Sequence, residues 1–163
     1  MKNIISRITI RQAVAGDIVK IGNLIKKYSN KEALLPRSRE ELELMAPNFL
    51  TVYYCGQFAG CVGFKVYDDF QAEILSWVVD KQYRNHGIGS ALITSVMETI
   101  EDKGIKSAIA LTVYPGTFEK HGFKEVSKDS LTKKILADCI RCPRNKAVPG
   151  LVDCPEHAYL KGW

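Results

Sequence analysis

The segment Val78-Val79-Asp80-Lys81-Gln82-Tyr83-Arg84-Asn85-His86-Gly87-Ile88-Gly89-Ser90-Ala91-Leu92 has the residue types and spacing to grip an anion. An apolar run passes through two closely spaced glycines into a stretch that continues as a helix. Gly87 and Gly89 carry no Cβ, so the backbone can approach a ligand, and the amides and dipole of the following helix favour negative charge there. A pyrophosphate suits such a turn. Its spacing, Arg-x-x-Gly-x-Gly, is neither the dinucleotide fingerprint G-x-G-x-x-G nor a Walker loop ending in Gly-Lys-Ser/Thr, and alone it also describes an ordinary glycine-closed turn. A second set, Cys139-x2-Cys142 and Cys154-x2-His157 with eleven residues between the pairs, has the ligand types of a tetrahedral structural zinc site. The same cysteines also suit free thiols, with a disulfide the least favoured. His86 and His121 read as surface or packing histidines.

The elements that must position these residues can be followed along the chain. Arg7-Ile8-Thr9-Ile10-Arg11 alternates as a half-exposed strand, and Asp17 opens a helix with Ile18, Ile21, Leu24 and Ile25 on one face, ending near Tyr28-Ser29-Asn30. Ser38-Arg39-Glu40-Glu41 reads as a capping box starting a second helix, stopped before Pro47. Two strands, Phe49 to Cys55 and Phe58 to Val66, flank a tight turn at Gly56-Gln57. A strand over Ala72 to Val79 precedes a helix from about Gly89 to Lys103, with Leu92, Ile93, Val96, Met97 and Ile100 inward. Ser107 to Thr112 is a strand, Thr117 to Lys120 a short helix stopped by Gly122, and Phe123 to Val126 another strand. From about residue 130 onward, cysteines and prolines predict an irregular C-terminal extension, with His157 to Leu160 as a possible final strand.

At 163 residues, 46% hydrophobic and 25% charged, the chain has the size of one domain able to bury a core. A net charge of +5 fits an anionic ligand, but no Lys/Arg run of nucleic-acid type occurs. Met1-Lys2-Asn3-Ile4-Ile5-Ser6-Arg7 lacks the apolar stretch of a signal peptide, and no run approaches membrane-spanning length. A soluble, cytoplasmic protein is the expectation.

Arg84-Asn85-His86-Gly87-Ile88-Gly89, preceded by Leu75-Ser76-Trp77-Val78-Val79-Asp80 and followed by Phe118-Glu119-Lys120-His121-Gly122-Phe123, resembles the core of the GNAT superfamily of acetyl-CoA-dependent N-acetyltransferases. The element order β-α-α-β-β-β-α-β-α-β is that of the same fold. The resemblance implies an α/β protein, one GNAT domain over residues 1–163, with a central mixed twisted sheet flanked by helices and a Cys-containing C-terminal appendage. It also implies that backbone groups of Trp77, Val78 and Val79 bind pantetheine and the thioester carbonyl of acetyl-CoA. The amides of Arg84, Asn85, His86, Gly87, Ile88, Gly89 and Ser90 would receive the pyrophosphate, with Arg84 adding charge.

Acetyl transfer to an amine needs a held thioester, a polarised carbonyl, a neutral amine and a proton for the departing thiolate. Glu73, in the strand that reaches the active centre of such enzymes, is the base candidate. Many GNAT enzymes place a tyrosine shortly before the Gly-Phe pair as the acid. Here Thr117-Phe118 takes that place, leaving Tyr114 or water.

Further segments, Leu34-Leu35-Pro36-Arg37-Ser38-Arg39-Glu40-Glu41-Leu42, Ala110-Leu111-Thr112 and Asp138-Cys139-Ile140-Arg141-Cys142-Pro143, resemble the acetyltransferase module of bacterial N-acetylglutamate synthases. That resemblance spans about residues 7 to 143. It assigns acceptor binding to Arg37 or Arg39 and to Arg141, whose guanidinium groups would grip carboxylates bidentately, with Ser76 beside them. Arg39 also suits a surface pair with Glu43. Leu75 stands where related short forms are often basic, leaving the carboxylate pocket one charge poorer. The expected activity is acetyl transfer to the α-amine of an acidic amino acid, L-glutamate first, at the start of arginine biosynthesis. Alternatives are another small amine, a protein N-terminus, or a CoA-binding sensor without turnover. No nucleic-acid or membrane partner is expected, and a homodimer is left open.

Overall fold

The computed structural model describes residues 7–29, 34–143, 145 and 154–163. Asn30 and the Pro149-Gly150 pair lie outside them, as does most of the N-terminal segment weighed as a signal peptide. Two compact units emerge, one formed by the chain up to Lys65 together with Ile74–Ile100, the other by Val66–Glu73 and Glu101–Trp163.

In the first unit the strands run in the order β1 (Ile8–Gln12), β2 (Phe49–Tyr54), β3 (Gln57–Val66) and β4 (Ala72–Val79). β2 is antiparallel to both β1 and β3. A 3-10 turn at Ala15–Asp17 leads into α1 (Ile18–Ser29), whose Ile18, Ile21, Leu24, Ile25 and Tyr28 are buried at helical spacing. They pack with Leu42, Phe49, Cys61 and Val78 in one apolar cluster. The buried Asp17 carboxylate holds the entry to α1. It accepts hydrogen bonds from Arg11 at 2.6 Å, Tyr53 at 2.6 Å and the Val14 N–H at 2.9 Å. Burial would push its pKa up, but these donors outweigh burial and bring it down to about 2.

α2 (Arg39–Met45) begins with the expected capping box. The Ser38 hydroxyl accepts from the Glu41 N–H at 3.1 Å, and the Glu41 carboxylate accepts from the Ser38 N–H at 2.7 Å. The hairpin turn differs from expectation by one residue. Gln57 already pairs with Tyr54, so Cys55-Gly56 forms the loop, with φ of 48° and 79°. Two left-handed residues match the twist of the flanking strands, and Gly56 supplies one without strain. Gly60 has a packing reason instead, since a Cβ there would lie 2.6 Å from the Val78 carbonyl oxygen of β4. α3 (Ile88–Asp102) buries Ile88, Leu92, Ile93, Val96 and Ile100, while Met97 is only half-buried.

In the second unit, β7 (His157–Gly162) lies between β5 (Ser107–Thr112) and β6 (Lys124–Val126), antiparallel to both. The final strand therefore lies between two other strands rather than at an edge, and it is two residues longer than expected. The short helix before β6 is a 3-10 turn, Glu119–His121, closed by Gly122 at φ 85°. α4 (Thr132–Ala137) falls inside the stretch expected to be irregular. Its Ile135 is buried, and the prolines that suggested disorder of pattern lie beyond its end. Ile109, Leu131 and Ala158 form the local core, and the buried Tyr159 ring packs 6.1 Å from Phe118.

Candidate active site

The glycine-rich turn is braced from several sides. After β4, the Asp80 N–H donates to the Ala59 carbonyl at 2.8 Å, and its carboxylate accepts from Lys27 at 2.7 Å. The Lys81 N–H donates to the Tyr28 hydroxyl at 2.7 Å. Arg84 donates through Nε to the Val79 carbonyl at 2.9 Å while its guanidinium lies 4.9 Å from the Tyr28 ring centre. The arginine expected to add charge is thus also a strut closing the turn onto β4. His86 Nδ1 is within hydrogen-bond reach of the Arg84 carbonyl, and its ring leans on Tyr54.

Asn85 and Gly87 are left-handed, with φ of 65° and 76°. Asparagine tolerates that conformation, and at Gly87 it is the reason for glycine. The Gly87 carbonyl accepts the Ala91 N–H at 3.0 Å, so α3 is launched from this residue. The first amides of a helix have no carbonyl partner within it. Those of Ile88, Gly89 and Ser90 therefore form the positive mouth of a 15-residue helix. This arrangement fits the diphosphate of acetyl-CoA.

Gly89 is permissive for the fold. An added Cβ would meet Trp77 Cζ2 at 3.6 Å and Val79 Cγ2 at 3.9 Å, ordinary contact distances. Gly89→Val is accordingly expected to keep the native circular dichroism while weakening acetyl-CoA binding about tenfold or more, or about 1.4 kcal/mol. Calorimetric titration checks this. Unchanged affinity would remove the turn from the cosubstrate site.

Upstream, Ser76 interrupts β4 with φ of 50°, although it is neither glycine nor asparagine. Its side chain is buried, and its carbonyl accepts from the Cys61 thiol at 3.7 Å. A left-handed residue inside a strand breaks the pleat and re-aims the groups that follow it. Those groups belong to Trp77, Val78 and Val79, the residues expected to hold the thioester arm. No glycine marks the break, so the sequence gives no sign of it.

Glu73, near the other end of β4, is buried and firmly held. Tyr67 donates its hydroxyl to Glu73 Oε2 at 2.6 Å, and Lys134 donates to the same oxygen at 2.8 Å. The Tyr67 hydroxyl also lies 2.6 Å from Asp138 Oδ2, which Lys134 reaches at 3.4 Å. Burial first, then the two carboxylates, drive the Tyr67 phenol well above its ordinary range. Burial works against the Lys134 ammonium, but Glu73 and Asp138 outweigh it and raise its pKa. The loop that presents Tyr67 is shaped by Asp68, which accepts the N–H groups of Phe70 and Gln71 and pairs with Lys133. Sequence reasoning missed Tyr67, Lys134 and Asp138. The only signal was the i,i+4 spacing of Lys134 and Asp138, which ordinarily marks an exposed helix pair.

Tyr114 follows β5 and is 53% exposed, and among the described residues Glu73 bonds to Tyr67 and Lys134 rather than to it. Arg39 is on an exposed helix face, engaged by Glu43 at 2.7 Å. Arg37 behaves differently. Its side chain is only 21% exposed, Glu41 Oε1 lies 3.9 Å from it, and its buried Nε has no hydrogen-bond partner among the described residues. Arg141 is exposed in the turn Cys139–Arg141, three residues beyond Asp138.

Of the two readings of the C-terminal cysteines, the arrangement of the described residues favours free thiols over zinc. Among the described residues no group of three or more His, Cys, Asp or Glu side chains is placed to hold a metal ion. His157 turns its Nδ1 to Glu125 at 2.7 Å, and Lys128 donates to the carbonyl of Cys154 and approaches its sulfur at 3.8 Å. Burial pushes the Cys139 thiol up to about 11. Cys139, Cys142 and Cys154 are free cysteines.

The model of the acetyltransferase (GNAT) family matches residues 18–123. An uncharacterised N-acetyltransferase of Chlorobaculum tepidum is 31% identical over 93% of this chain and 94% of its own length. The amino-acid acetyltransferase of Neisseria meningitidis serogroup A is 32% identical over 86% of this chain, which spans 33% of that relative. Among solved structures, N-acetylglutamate synthase from Neisseria gonorrhoeae, complexed with coenzyme A and N-acetyl-glutamate, gives a TM-score of 0.77 at 27% identity, covering 95% of this chain and 35% of that one. A Mycobacterium tuberculosis protein solved with CoA gives the same score at 20% identity, a likeness of fold. The matched segment contains the glycine-rich turn, the interrupted strand β4 and Glu73, so the chain belongs to the GNAT acetyltransferase family and is an acetyl-CoA-dependent N-acetyltransferase.

Proposed function

We propose that the enzyme acetylates the α-amine of an acidic amino acid, L-glutamate first, as one GNAT domain acting at the start of arginine biosynthesis in the cytoplasm. The observation that carries the acceptor class is Arg37, a largely buried guanidinium whose Nε has no hydrogen-bond partner among the described residues. Such a group favours a planar anion that can take two parallel hydrogen bonds. Arg141 supplies a second cation on the turn after α4. The Neisseria relatives, an amino-acid acetyltransferase and an N-acetylglutamate synthase, support the same acceptor class.

In this reading the groups following Ser76 orient the thioester and the mouth of α3 holds the diphosphate. Glu73 takes a proton from the acceptor ammonium, freeing the lone pair that attacks the acetyl carbonyl. Collapse of the tetrahedral intermediate breaks the carbon–sulfur bond; CoA leaves as a thiolate that takes a proton from Tyr114 or water, and the second proton lost by the former amine nitrogen, as the amide forms, restores that donor. The reading is tested by comparing L-glutamate with L-glutamine, which keeps the α-carboxylate and loses the second charge. A kcat/KM at least tenfold higher for glutamate is expected. Equal values would take the side-chain carboxylate out of recognition.

A further inference from the structure

We propose that Tyr67 passes the proton accepted by Glu73 on to Asp138, so that the base is reset through a two-step wire within one unit of the fold. The inference rests on the reading of Glu73 as the base. Its geometric ground is the phenol hydroxyl lying 2.6 Å from both carboxylates. A phenol has one proton and can donate to only one of them at a time. The second short contact becomes a hydrogen bond when the other carboxyl is protonated, which is the state of Glu73 after it has taken a proton from the amine. Glu73 then donates to the Tyr67 oxygen while Tyr67 donates to Asp138. Transfer of both protons together leaves Glu73 ionised, Tyr67 neutral and Asp138 protonated.

The wire runs toward water. The Glu73 side chain is 8% exposed and that of Asp138 is 29% exposed. Lys134 touches both carboxylates, at 2.8 and 3.4 Å, so a positive charge accompanies the negative one at either end. The phenol is held far from ionising, so the exchange never requires a phenolate. Tyr67 is in this sense a positioning residue acting through Glu73, with no contact to the substrate required.

The test uses the full chain with acetyl-CoA and L-glutamate, or with whichever amine of a panel turns over fastest. Tyr67→Phe keeps the ring and removes the hydroxyl. It is expected to lower kcat at least tenfold with little change in the KM for acetyl-CoA, and millimolar imidazole should restore much of the rate by carrying the proton instead. Asp138→Asn should do the same. A slow Tyr67→Phe enzyme that imidazole does not help would show a packing role and overturn the wire, as would wild-type kcat in either variant. Glu73→Gln separates the two ideas. If it is inactive while Tyr67→Phe is normal, the base stands and the wire falls. If Glu73→Gln is fully active, or no amine turns over, the base and the wire fall together.

Discussion

Glu73→Gln is expected to lower kcat for acetyl transfer at neutral pH by about 10²-fold or more, the scale on which a positioned general base contributes. The loss should shrink as pH rises. Glutamine cannot take the proton, so turnover depends on the fraction of acceptor already present as free amine, and that fraction grows toward the amine's own pKa. Binding of acetyl-CoA should be unchanged, because the turn at 84–90 is untouched. Glutamine keeps the length of the side chain and can still receive Tyr67 and Lys134, although Lys134 is then left, among the described residues, with Asp138 at 3.4 Å as its charged partner. A lowered melting temperature therefore belongs to the expected outcome, and kcat must be measured well below it. A pH–rate profile with the shape and height of the wild type would remove Glu73 from the mechanism.

Arg37→Ala is expected to raise the KM for L-glutamate about ten- to hundredfold while leaving that for acetyl-CoA nearly constant. The scale is that of one charge-assisted hydrogen bond, about 1.5–3 kcal/mol. Arg141→Ala should act in the same direction. Arg39→Ala should have a far smaller effect, since its guanidinium is exposed and already held by Glu43. Steady-state kinetics of the three variants make the comparison. Equal losses toward both substrates would point to damaged folding, and a larger effect at Arg39 than at Arg37 would reverse the assignment.

Much of the scaffold was legible because its signals were local. The ladder of Ile18, Ile21, Leu24 and Ile25, the Ser38–Glu41 capping box, and the run from Ala72 to Val79 each announce their element within a few residues. The hairpin turn was misplaced by one position because Cys55 takes a left-handed conformation that its side chain does not advertise. α4 was hidden by the cysteines and prolines that follow it, and β7 gave no sign that it would insert between β5 and β6. The glycine-rich turn could be read from the absence of side chains. Glu73's surroundings could not, because Tyr67, Lys134 and Asp138 come together only through tertiary packing across intervals of 6, 61 and 71 residues. The zinc motif shows the converse. Ligand types at plausible spacing did not assemble, since His157 and Cys154 are turned to other partners.

The most direct test of the account is to incubate the purified protein and acetyl-CoA with a panel of amines and identify the product by mass spectrometry. L-Glutamate, L-aspartate, L-glutamine, L-lysine, a polyamine and an N-terminal peptide cover the acceptor classes. The account predicts N-acetyl-L-glutamate as the fastest-formed product, with stoichiometric release of CoA. Faster acetylation of lysine, the polyamine or the peptide, or CoA binding without turnover of any amine, would contradict it.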